Sequence, residues 1–159
     1  MNQGCIPDLA GEPYERVMTA AEKHAVHAAD FLEGVRVLLV EDDEDSRELL
    51  VELLLQAGAV VEAADCAATG FRAFQSFHPH VLISDIGLPD EDGVSLARRI
   101  RASEPPGAPP TPLVALTAYT SPRDRARVLE VGFNLHIGKP FDMDALLHSV
   151  RSMVPRQSK

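Results

Sequence analysis

Five short apolar runs, each followed by a helical pattern, constrain this chain more than any other feature. Val35-Arg36-Val37-Leu38-Leu39-Val40 comes first, then Val60-Val61-Glu62-Ala63-Ala64, Val81-Leu82-Ile83-Ser84-Asp85, Leu113-Val114-Ala115-Leu116-Thr117 and Leu135-His136-Ile137. Runs that are almost wholly apolar, such as 81–84, are buried on both faces of a sheet, which is how parallel strands read. Between them, apolar residues recur at three- and four-residue steps: Leu49, Leu50, Leu53, Leu54 and Ala57; Ala68, Phe71, Phe74 and Phe77; Val94, Leu96, Ala97 and Ile100; Leu146, Leu147 and Val150. Asp65, Ser121 and Asp142 stand where helix N-caps belong, and Ser121 is reinforced by Pro122 and Asp124. Strands alternating with helices predict an α/β fold: a doubly wound, five-stranded parallel sheet with helices on both faces.

The chain has 159 residues, enough for one domain with a short appendage. Residues 1–34 read as an N-terminal extension, helical over 12–32 on the stripe Tyr14, Met18, Ala21, Ala25, Ala28 and Leu32. The domain spans 35–154, and 155–159 form a tail too short for an output domain. A net charge of -9 argues against gripping nucleic acid, which rests on basic neutralisation of phosphates, so no direct DNA binding is expected. Two distant cysteines, Cys5 and Cys66, support neither a disulfide framework nor a zinc site and suit a reducing cytoplasm. No run is long and apolar enough for a membrane span, and no secretory signal is visible.

In an open α/β sheet, ligands bind beyond the carboxyl ends of the strands. Glu41, Asp42 and Asp43 follow the first strand. Asp85 ends the third, Thr117 ends the fourth, and Lys139 follows the fifth. Carboxylates gathered on one rim repel one another, and a hard divalent cation removes that penalty. Oxygen donors from Asp42 and Asp85, completed by water or carbonyls, suit Mg²⁺ better than a soft metal. A carboxylate, a metal, a lysine and a hydroxyl are the parts that hold a phosphoryl group during transfer.

Those same residues carry a family resemblance. Val40-Glu41-Asp42-Asp43, Ser84-Asp85-Ile86-Gly87-Leu88-Pro89, Asp92-Gly93, Leu116-Thr117-Ala118 and Lys139-Pro140-Phe141 resemble the receiver domain of two-component response regulators, chemotaxis receivers included. The separations agree: 43 positions from Asp42 to Asp85, 32 on to Thr117 and 22 on to Lys139. The resemblance covers about residues 35–153 and implies the flavodoxin-like strand order 2-1-3-4-5. It implies Asp85 as phosphoacceptor, and Mg²⁺ held by Asp42 and Asp85 directly, by Glu41 through water and by the Gly87 carbonyl. It implies Thr117 and Lys139 on the phosphoryl group, and a cis Lys139-Pro140 bond. Asp43 reads as part of the approach to the first helix. Where the family often has an aromatic, three residues before the lysine, this chain has His136, read as a surface-facing residue on an edge strand.

Other chemistry-bearing residues have plainer readings. Gly132 to Lys139 misses the phosphate-loop spacing by one residue and lacks its Ser/Thr. His24 and His27 read as solvated, His78 and His80 as a turn around Pro79, and Cys66 as unpaired. Arg98, Arg99 and Arg101, like Arg123, Arg125 and Arg127, read as solvated helix faces.

The expectation is a stand-alone receiver that takes a phosphoryl group from a histidine kinase or histidine phosphotransfer protein onto Asp85. It would signal to an unknown downstream protein through the face around the fourth helix, fifth strand and fifth helix. It would not be an enzyme beyond catalysing its own phosphorylation and dephosphorylation. The alternatives are the receiver portion of a hybrid sensor histidine kinase and a pseudo-receiver without phosphate. The resemblance also implies that the positions two after Asp85 and Thr117 tune loss of the phosphoryl group; Gly87 and Tyr119 stand there, and slow loss is expected.

Overall fold

The sheet places hydrophobic side chains on both of its faces, and helices cover both. The structure, a computed structural model, describes residues 19–21, 29–118 and 121–155. In chain order these form β1 (Arg36–Val40), α1 (Glu44–Gln56), β2 (Val60–Ala64), α2 (Ala67–Phe77), β3 (Val81–Asp85), α3 (Gly93–Ser103), β4 (Leu113–Thr117), α4 (Pro122–Glu130), β5 (Leu135–Gly138) and α5 (Met143–Met153). The five strands are parallel in the order β2-β1-β3-β4-β5, as expected. Chain order reverses between β1 and β3, which opens a crevice at their carboxyl ends.

The period of two along each strand sorts side chains into two cores. Leu39, Ile83, Val114, Leu116 and Ile137 face α1 and α5, where Leu50, Leu54, Leu146 and Val150 meet them. Leu38, Val40, Leu82 and Ala115 face the other way, onto Val94, Leu96 and Ile100 of α3 and Val128 of α4. A fully buried leucine or isoleucine contributes about 1.5–3 kcal/mol. An aspartate in place of Ile83, wholly buried on the central strand, would leave an unpaired charge there. Leu32 belongs to the first core: it is fully buried, and its N–H donates to Ala57 O at 2.7 Å.

Two of the three expected helix caps hold, and Asp43 adds one at α1. Asp43 Oδ2 accepts from Ser46 N–H, Ser121 Oγ from Asp124 N–H, and Asp142 Oδ1 from Ala145 N–H. Asp65 does not cap α2. The cap position is Cys66, whose side chain makes no capping bond, and Asp90 takes that role from a distant loop. A local spacing rule cannot see a carboxylate arriving from 23 residues away. Of the helix expected over 12–32, residues 29–34 form turns, while Tyr14, Met18, Ala25 and Ala28 lie outside the described residues, as do His24, His27 and Cys5.

Two glycines mark close approaches that fix the rim. A Cβ on Gly70 of α2 would lie 2.8 Å from Val40 Cγ2, so that helix rests directly on the end of β1. A Cβ on Gly93 would lie 2.6 Å from Asp85 O, so α3 begins against the end of β3.

Candidate functional site

The strand ends bring Glu41, Asp42, Asp85 and Lys139 together. Glu41 directly follows β1, and its N–H donates to Ala64 O of β2 at 3.0 Å. That bond continues the ladder one step past the strand and turns the Glu41 side chain inward, where it is 1% exposed. Its Oε1 accepts from Lys139 Nζ at 3.1 Å, and its Oε2 accepts from Asp43 N–H at 3.2 Å. Lys139 Nζ also donates to Asp85 Oδ2 at 3.3 Å, while Asp85 Oδ1 accepts from Gly87 N–H at 3.2 Å. Glu41, Asp42 and Asp85 each place a carboxylate oxygen within 4.8 Å of the others.

Lys139 reaches this cluster because its own N–H donates to Thr117 O at 2.9 Å, extending the β4–β5 pairing past Gly138. The Lys139-Pro140 peptide is cis, as expected. Thr117 is buried, 1% exposed, next along β4 from Leu116, the register partner of Asp85. Arg47, which the sequence alone did not single out, braces the first corner: its guanidinium donates to Glu41 O at 2.9 Å and to Asp42 O at 3.3 Å. Its place one turn into α1 resembles that of any solvated helix arginine, so spacing carries no signal for it.

Charge is out of balance here. Burial pushes the Glu41 carboxyl above its ordinary range, and the nearby Asp85 charge adds to this, against the opposing pull of Asp43 N–H and Lys139. Burial alone would lower Lys139, yet Asp85 and Glu41 together hold its ammonium above the ordinary lysine value. Glu41 and Asp85 thus share one ammonium, and Asp42 adds a third carboxylate beside them. The donors are all hard oxygens, with no nitrogen or sulfur among them, and this set fits a hard divalent cation.

Other chemistry-bearing residues lie elsewhere. Asp43 serves α1: the Ser46 N–H it accepts holds its carboxyl below the usual range. His78 ends α2 in the left-handed region, at φ 53°, and His80 Nδ1 accepts from Arg36 N–H at 2.9 Å, so the pair forms a turn. His136 is not surface-facing. It is 8% exposed, on the side of the sheet shared with its register partner Ala115, where Val128 and Phe133 pack. Arg101 is not a solvated helix residue either. Its guanidinium donates to Glu104 Oε1, Thr111 O, Gly132 O and Asn134 Oδ1, tying α3 to the loops that lead into β4 and β5. Arg99 pairs with Glu91 and lies 4.4 Å over the Phe71 ring. A Cβ on Gly87 would meet nothing within 4 Å. Tyr119 lies outside the described residues.

Comparison with known proteins agrees with this geometry. An uncharacterized protein of Leptolyngbya boryana is 37% identical over 115 residues, which are 72% of this chain and 86% of that one. The transcriptional regulatory protein GltR of Pseudomonas aeruginosa is 37% identical over 123 residues, 77% of this chain, which spans only 50% of GltR. Among solved structures, the chemotaxis response regulator CheY4 of Vibrio cholerae superposes with a TM-score of 0.69 at 28% identity, covering 76% of this chain and 98% of CheY4. Residues 37–151 match the response regulator receiver domain, and the chain belongs to that family.

Proposed function

We propose that this receiver accepts a phosphoryl group on Asp85 from the phosphohistidine of a histidine kinase or histidine phosphotransfer protein. The observation that carries this reading is the convergence of Lys139 and three carboxylates on the end of β3. A carboxylate oxygen of Asp85 attacks phosphorus in line. The new O–P bond forms as the N–P bond to the donor imidazole breaks, and the imidazole keeps the electron pair and takes a proton from water. Lys139 already sits on Asp85 and offers its ammonium to the charge on the phosphoryl oxygens. Thr117 supplies a hydroxyl at the adjacent strand end.

Glu41, Asp42, Asp85 and the Gly87 carbonyl are the residues that would hold Mg²⁺. When bound, that ion neutralises surplus carboxylate and phosphoryl charge. The chain turns over no separate metabolite. Its chemistry is its own phosphorylation and the hydrolysis that ends it, so it is a switch rather than an enzyme. The phosphoryl group shifts a population between two states, read by a downstream protein at the face of α4, β5 and α5.

The acidic surface suits signalling to protein rather than to DNA directly. No described helix is long and apolar enough to cross a membrane, and the reading places the domain in the cytoplasm, where kinases and their nucleotide reside. The same chemistry holds whether the receiver stands alone or forms part of a hybrid sensor histidine kinase. Phosphoramidate, a small donor with a P–N bond, tests the reading. Transfer in Mg²⁺ that stops in EDTA is expected, and equal transfer in both would contradict the metal's role.

A further inference from the structure

Asp90 stands in the loop that joins Asp85 to α3, and its carboxylate reaches across to α2. Oδ1 accepts from Ala67 N–H and Oδ2 from Ala68 N–H, each at 2.9 Å, so both oxygens close on the first turn of α2. These bonds, with Ala67 N–H first, hold the Asp90 carboxyl down to about 2. The sequence left α2 without a local cap, since Cys66 makes no side-chain capping bond and no acid occupies the first turn. Two amides that a neighbouring residue usually satisfies are therefore met by the loop.

What the loop carries gives this clasp its consequence. Between Asp85 and Asp90 lies Gly87, whose N–H donates to Asp85 Oδ1 and whose carbonyl is the proposed metal ligand. Pro89 stiffens the short link from Gly87 to Asp90. At the other end of the clasp, α2 rests on β1 without slack, at the contact between Gly70 and Val40. Val40 is followed at once by Glu41 and Asp42. The clasp thus joins the loop holding Gly87 to the helix seated on the strand that ends in the other two acids. The remaining loop acids bond elsewhere: Glu91 pairs with Arg99, and Asp92 caps α3 at Ser95 N–H.

The geometry points to Asp90 as a positioning residue that holds the Gly87 loop in register with Glu41 and Asp42, and so sets the affinity of the acidic cluster for a divalent cation. This inference rests on the metal role proposed above and adds a residue that touches neither metal nor phosphoryl group.

Three variants separate positioning from simple helix capping. Asp90→Ala removes the clasp. Asp90→Asn keeps the shape but leaves one carbonyl oxygen to accept, and it serves if the alanine variant folds poorly. Asp90→Ala with Cys66→Asp gives α2 a local cap while leaving the loop untied. Mg²⁺ is titrated with no phosphoryl donor present, following the amide resonance of Gly87, and Tm is measured in EDTA.

The expected result is a roughly tenfold rise in half-saturating Mg²⁺ for Asp90→Ala, the size typical of lost support behind a metal ligand. The second substitution should restore Tm but not Mg²⁺ affinity. Recovery of both together would overturn the inference, leaving Asp90 as a cap alone. So would parent-like affinity in Asp90→Ala and Asp90→Asn. If the parent itself shows no Mg²⁺ response, the metal role fails first and this inference falls with it. A responsive parent with equally responsive variants sinks only the role of Asp90.

Discussion

Lys139 Nζ lies 3.3 Å from Asp85 Oδ2 and 3.1 Å from Glu41 Oε1, so one ammonium bridges the ends of β3 and β1. Removing it leaves Glu41, 1% exposed, facing Asp85 with only the Asp43 N–H for relief. Lys139→Met is expected to lose about 1–3 kcal/mol in EDTA. The loss should shrink in Mg²⁺, because a cation bound only by the folded state stabilises it. Urea unfolding in both buffers checks this, and an equal loss in each would contradict it.

The raised Glu41 pKa gives a pH dependence of definite sign. A carboxyl raised in the folded state stabilises the fold fully below its ordinary value of 4.5 and loses that contribution as pH rises through the raised value. Metal-free parent protein should therefore gain stability relative to Glu41→Gln as pH falls through that window. Mg²⁺ affinity should weaken over the same window, since protonated Glu41 no longer offers its charge. A parent curve parallel to that of Glu41→Gln would contradict the assignment.

Leu32 makes the domain's entry point testable. It is fully buried among Val35, Leu54 and Ala57 in the first core. A chain starting at Gly34 should be destabilised by about 2–5 kcal/mol relative to one starting at Ala29, and Leu32→Ala should reproduce most of that loss. Chemical denaturation of the three proteins settles the comparison; equal midpoints would show that Leu32 packs without consequence.

The sheet and the acidic rim were legible because parallel strands are written as apolar runs and the rim residues follow those runs directly, whereas the strand order came with the family resemblance. What escaped the sequence depends on tertiary reach. Asp90 caps α2 across 23 residues, and the cap expected of Asp65 was never needed. Arg101 has the spacing of a solvated helix arginine, yet its guanidinium bonds the Gly132 carbonyl 31 residues on. His136 sits on an edge strand, which reads as exposed, until Val128 and Phe133 are folded against that side of the sheet. Leu32 ends an Ala-rich stripe that gave no sign of which residue would enter the core.

If Asp85 carries the phosphoryl group as proposed, Gly87 offers it no side chain to orient an attacking water. A Cβ there meets nothing within 4 Å, so Gly87→Asn should change stability by less than about 0.5 kcal/mol. Combined with Tyr119→Glu, it should speed decay of the phosphoprotein several-fold once donor is removed. Equal or slower decay would sink the idea that these two positions prolong the signal.

The identity of the phosphoacceptor is tested most directly by intact-protein mass after incubation with acetyl phosphate and Mg²⁺. The parent should gain the mass of one phosphoryl group, and Asp85→Asn should gain none while keeping its fold by circular dichroism. A folded Asp85→Asn protein carrying the same added mass, or a parent that carries none, would contradict the account.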